Sequence, residues 1–112
     1  MNERKAKERR EPPRPEPVSF GGVRYEAVLW GKSRNLGQNG GFVVAIDEVT
    51  GTEKWIIKVY DVIYDQRMEE DKQDVFISSL ELDSENLLHV VNEKGAQFMV
   101  NVETQEVTKW PK

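Results

Sequence analysis

Cysteine is missing altogether from this sequence of 112 residues, and histidine occurs once. Without a thiol there is no disulfide and no thiolate chemistry; with one histidine, neither a two-histidine zinc site nor a triad with a second candidate base can be assembled. Long apolar runs are lacking too. None approaches the roughly 18 residues of a membrane-crossing helix, and the N-terminus shows no apolar signal-peptide core. The expected address is the cytoplasm, with no membrane partner. Proline is scarce outside one region, because four of the five lie in residues 1–17, MNERKAKERREPPRPEP.

That leading segment has almost no apolar side chain, so it cannot bury enough surface to offset the entropy of ordering it. It is expected to be a disordered, charged tail, followed by one domain over residues 18–112. Six basic side chains stand against four acidic ones in the tail, which leaves ten basic and sixteen acidic in the rest. Tail and body therefore carry opposite signs. Lys and Arg gain affinity for phosphate by releasing counterions, so nucleic acid is one reading of the tail. Four interspersed glutamates and the absence of an aromatic side chain to stack on bases argue against it.

What is present in strength is β patterning. Residues 41–60, GFVVAIDEVTGTEKWIIKVY, alternate as Phe42, Val44 and Ile46 against Val43 and Ala45, then as Trp55, Ile57 and Val59 against Ile56, Lys58 and Tyr60. Period-two spacing of β-branched and aromatic residues marks strands. Between them the Asp47 carboxylate can accept N–H groups two and three residues on, the Thr50 hydroxyl can do likewise, and Gly51 can take positive φ. A weaker copy follows, with Phe98, Val100 and Val102 alternating before Asn101 and Thr104, and Trp110 closing the next strand. Asp47, Thr50 and Trp55 are spaced three and then five residues apart; Asn101, Thr104 and Trp110 are spaced three and then six.

The run from Val44 to Trp55 resembles the blade motif of quinoprotein-type (PQQ-like) β-propeller repeats, and the run from Val100 to Trp110 resembles a decayed copy with Gln105 in place of the turn glycine. The resemblance implies a structural role for the tryptophan, docked against a neighbouring blade, and implies no cofactor. Two partial copies fall short of the several blades of a closed propeller. The chain as a whole also has the look of a member of a small bacterial family.

Elsewhere, Val23, Tyr25, Ala27 and Leu29 share one face of a first strand over residues 23–30, with Arg24 and Glu26 on the other. Val28 and Trp30 interrupt that polar face, so the sheet there is either covered on both sides or open to a partner. The strand ending the central hairpin is predicted to run to Tyr64. Residues 75–82 read as a strand with Phe76, Leu80 and Leu82 on one face and Val75 and Ile77 on the other. Strands over 87–91, 96–102 and 107–110 complete about seven short antiparallel strands. The expected fold is all-β, a meander closing into a barrel, a sandwich or blade-like sheets. The acidic residues 65–74 are the place where a short helix would fit; Glu69, Glu70, Asp71 and Asp74 lack the ligand spacing and glycine of a calcium loop.

The longest glycine-rich stretch is residues 31–41, GKSRNLGQNGG. Gly31-Lys32-Ser33 is like the end of a phosphate-binding loop, but Glu26 stands where that motif needs its first glycine, and a strand follows instead of a helix. The stretch offers Lys32, Arg34, Asn35, Gln38 and Asn39 as donors on a loop that is either a binding element or a mobile connection. His89, between Leu88 and Val90, reads as a packed or edge side chain. Carboxylate pairs such as Asp61 with Asp65 and Glu81 with Asp83 are commonplace in so charged a chain.

Three functions remain open: a protein-binding module, a small-ligand or weakly hydrolytic site, and nucleic-acid binding through the tail. The first is favoured, with no enzyme activity, no cofactor and no metal expected. Its contact surface is predicted to be Trp30, Lys32, Arg34 and Asn35, meeting a protein partner and leaving the chain a monomer or weak homodimer.

Overall fold

The computed structural model describes residues 12–68 and 73–110. In chain order its strands are β1 (Val18–Phe20), β2 (Val23–Val28), β3 (Phe42–Asp47), β4 (Glu53–Lys58), β5 (Ile77–Leu82), β6 (Leu87–Asn92), β7 (Gln97–Asn101) and β8 (Val107–Trp110). They form two four-stranded antiparallel sheets, β1-β2-β3-β4 and β5-β6-β7-β8, each a simple meander. The all-β expectation holds, with eight strands in place of about seven, and the sheets do not close into a barrel. The one helical element among the described residues is a 3-10 turn, Gly31–Arg34. No helix among them is long and apolar enough to cross a membrane.

Strand limits differ from the pattern where side chains replace a ladder. Beyond Lys58 one more backbone bond follows, Val59 N–H to the Gly41 carbonyl, and then the Val62 N–H donates to the Gln38 side chain instead of a strand, so residues 59–64 run as a connection between the sheets. β5 starts at Ile77, and a register shift between Ile77 and Ser79 lets Ser78 bulge outward. That bulge returns Ile77 to the same buried side as Leu80, contrary to strict alternation. Of the leading segment, residues 12–17 carry no strand. Pro12 is buried, and Arg14, Pro15 and Pro17 lie beside Glu26, Ala27 and Leu29. Residues 1–11, on which most of the disorder expectation rests, lie outside the described residues, as do Glu69, Glu70 and Asp71.

The core lies between the sheets. Tyr25, Val43 and Ala45 of the first sheet meet Leu80, Leu88, Val90, Phe98 and Val100 of the second, with Val23, Ala27, Trp55 and Ile57 packed at the margin. Each fully buried side chain of this kind is worth about 1.5–3 kcal/mol relative to exposure. Ala45 pairs with Tyr25 on one side and Trp55 on the other, and its small size lets the two rings close to 5.9 Å over it. Burial, and then the charge of Glu103, push the Tyr25 phenol above its ordinary pKa. On the opposite face of the first sheet Val28, Phe42 and Val44 form a second cluster under Leu36. The sheet is thus covered on both sides at Val28.

The two sheets are copies at the level of single hydrogen bonds. Asp47 Oδ1 accepts the N–H groups of Val49 and Thr50, and Asn101 Oδ1 accepts those of Glu103 and Thr104. Gly51 N–H donates to the Asp47 carbonyl as Gln105 N–H does to that of Asn101, and Gly51 (φ 76°) and Gln105 (φ 65°) are both left-handed. Glu48 N–H donates to the Gly22 carbonyl, and Val102 N–H to that of Asn86. The tryptophans break the match. A register shift between Ala45 and Ile46 sets Trp55 opposite Ala45, whereas the unshifted β7–β8 ladder sets Trp110 opposite Gln97. Trp55 is half-buried against the core; Trp110 is 48 % exposed.

Corresponding residues also face opposite ways. Val44 and Phe98 occupy the same place relative to their turns, yet Phe98 enters the shared core and Val44 the separate cluster. The sheets therefore stack in one sense, the front of the first on the back of the second.

Candidate functional site

Alignment of the copies isolates one addition. Residues 29–41 join β2 to β3, where residues 93–96 suffice between β6 and β7. The added loop is ordered by its own bonds: Gly31 N–H donates to the Asn39 carbonyl and Leu36 N–H to that of Gly31, and Asn35, left-handed at φ 63°, ends the 3-10 turn. Gly31 is buried so tightly that a Cβ there would fall 2.2 Å from the Gln38 carbonyl oxygen.

The second half of the loop is a clamp. Gln38 is 4 % exposed; its Nε2 donates to the carbonyls of Gly40 and Tyr60, and its Oε1 accepts the Val62 N–H, all at 2.9 Å. Asn39 Nδ2 donates to Asp74 Oδ2 at 3.1 Å, while the Tyr64 hydroxyl donates to the other oxygen of Asp74. Gln38 and Asn39 are therefore engaged within the fold, which corrects their reading as donors for a partner. Nothing in the sequence pairs Asn39 with Asp74, since the bond spans 35 positions.

The first half faces outward and holds the four residues singled out from sequence. Trp30 is 48 % exposed, its ring edge-on to buried Phe76 with centroids 5.8 Å apart. Ser33 Oγ donates to the Trp30 carbonyl at 2.7 Å. The Lys32 ammonium lies 4.1 Å from the centroid of the Tyr64 ring. Arg34 Nη2 reaches Glu53 Oε1 at 2.6 Å, an exposed pair worth under about 1 kcal/mol. Asn35 is exposed at the end of the turn. Tyr64, Phe76 and Glu53, which hold this group in place, were not legible as its partners because they come from other elements.

Among the described residues no cluster of His, Asp or Glu is arranged to hold a metal. His89 is half-exposed, with Nε2 3.0 Å from Asp83 Oδ2, and no hydroxyl among the described residues is hydrogen-bonded to it. The His89 bond, followed by the Glu85 and Leu87 N–H groups, holds the Asp83 carboxyl below its ordinary range. Asp61 is paired with Lys58, and Asp65 with Arg67. A cleft of about 640 Å³ opens between the inter-sheet connection and the second sheet, and Tyr60, Phe98, Asn92, Lys94 and Lys109 are among the residues lining it. This cleft was not legible from the sequence, because its walls come from the connection and from three strands and a turn of the second sheet.

Comparison with family models, with curated proteins and with solved structures gives no match in any of the three.

Proposed function

We propose that the chain is a non-enzymatic protein-binding module, built on two blade-like units of the PQQ-like kind, and that Trp30, Lys32, Arg34 and Asn35 form its contact surface. The observation that carries this reading is the added loop: the second sheet makes the same connection with residues 93–96, whereas the first spends residues 29–41 and presents a half-exposed tryptophan on them. An aromatic side chain fixed by Phe76 and flanked by Lys32 and Arg34 has the character of an interface anchor, since little conformational entropy is left to lose on binding. The matching Asp47 and Asn101 turns support the blade-like reading. A cytoplasmic location and a monomeric or weakly dimeric state go with it.

The test is recovery of a partner from lysate of the native host by three tagged forms: wild type, Trp30→Ala/Arg34→Ala, and Val49→Ala as a control at an apolar residue 89 % exposed elsewhere. The expected result is a partner recovered by wild type and control and lost from the double variant. The same partner on all three removes the assignment. The nucleic-acid alternative rests on the tail, most of which lies outside the described residues.

A further inference from the structure

Asn92, the last residue of β6, is 6 % exposed. Its Oδ1 accepts the N–H groups of Lys94 and Ala96, both at 3.0 Å, and this fixes which way the amide is turned. Nδ2 points away from the hairpin, and no acceptor among the described residues takes it. The turn needs only the oxygen. Leaving a buried donor without an acceptor is costly, and in the first sheet the corresponding residue is Val28, sealed under Leu36 with no polar group to satisfy.

Asn92 lines the cleft of about 640 Å³, a volume in the range that holds small organic ligands. Its aromatic wall is the stacked pair Tyr60 and Phe98, with ring centroids 5.2 Å apart and planes 21° from parallel. Lys94 and Lys109 also line it, and neither ammonium has an ion-pair partner among the described residues. Two carboxylates line it as well and are engaged: Asp61 takes Lys58 at 2.9 Å and buried Asp74 accepts from Tyr64 and Asn39, while Glu93 nearby accepts the Phe76 N–H. The Tyr60 hydroxyl donates to the Val75 carbonyl at 2.7 Å, and burial, then the Glu93 charge, push its pKa well above the ordinary value. It stays neutral and offers an incoming anion no repulsion.

We propose that this cleft binds a small organic anion, a carboxylate carried on a flat apolar ring. Its carboxylate is received by Asn92 Nδ2 and the Lys94 and Lys109 ammonium groups, and its ring lies against the Tyr60–Phe98 pair. The site is independent of the Trp30 surface and does not rest on the protein-binding reading.

The experiment is a nitrogen-15 NMR titration of the full chain with benzoate, and with benzamide as its uncharged counterpart. Benzoate is expected to shift the Asn92 side-chain NH2 signals saturably, with benzamide binding about tenfold more weakly or worse, because a charged hydrogen bond is lost. A Lys94→Met/Lys109→Met variant, changed only at exposed side chains, is expected to lose affinity for benzoate by a similar factor. Asn92→Asp keeps the turn acceptor but places a negative charge in the cleft. It is expected to abolish binding while the Lys94 and Ala96 amides stay in place. Asn92 NH2 signals unmoved by benzoate would overturn the proposal, as would benzamide or either variant matching the affinity of benzoate for the wild type.

Discussion

Gly31 and Gly51 are both required, for different reasons. At Gly51 a Cβ would meet nothing within 4 Å, so only the left-handed φ of 76° disfavours a side chain. Gly51→Ala is expected to cost about 1 kcal/mol, and the presence of Gln105 at the same place in the second sheet shows that such a cost is tolerated. At Gly31 the obstacle is the Gln38 backbone, which cannot move without opening the clamp. Gly31→Ala is expected to cost about 3 kcal/mol, the upper end for overpacking. Urea unfolding of the two variants checks the order, and an equal or reversed order would show that the clamp is loose. Trp55→Ala should cost about 3 kcal/mol, near the lower end for tryptophan, because the ring is only half-buried against Tyr25.

Turns and loops divide into those legible from sequence and those that are not. The Asp47 turn was legible, since Asp, Thr and Gly at those offsets each have a local bond to make, and Asn101 with Thr104 repeats it. Its pH dependence follows from the Thr50 and Val49 N–H groups, which in that order hold the Asp47 carboxyl below its ordinary 3.8. A carboxyl depressed by folding adds stability above pH 3.8 and loses it as pH falls through the lower folded value. Asp47→Asn keeps the acceptor, as Asn101 shows, but cannot titrate. Its melting temperature should therefore fall less steeply below pH 3.8 than that of the wild type. Parallel curves would mean that the turn bonds contribute nothing to the acid response. The loop of residues 29–41 was legible only in its outward half. Trp30 and Arg34 read as surface residues and are exposed, Arg34 in its pair with Glu53, whereas Gln38 and Asn39 read the same way and are engaged by Tyr60, Val62 and Asp74. Local composition carries no record of partners that distant.

For the whole molecule, alternation in the sequence established β content and most strand positions, but it could not choose among barrel, sandwich and blade-like sheets. That choice lies in which faces meet, and the bulges at Ser78 and Lys54 shift side chains by one place without any mark in the pattern. Two copies of one four-stranded unit share the core between them, so neither sheet holds its structure alone. Native-state hydrogen exchange, residue by residue under increasing denaturant, tests this most directly. The amides of Val43 and Ala45 in the first sheet and of Val90 and Val100 in the second are expected to merge into one slowest-exchanging class with a common opening free energy. A second sheet that stays protected after the first has opened would contradict it.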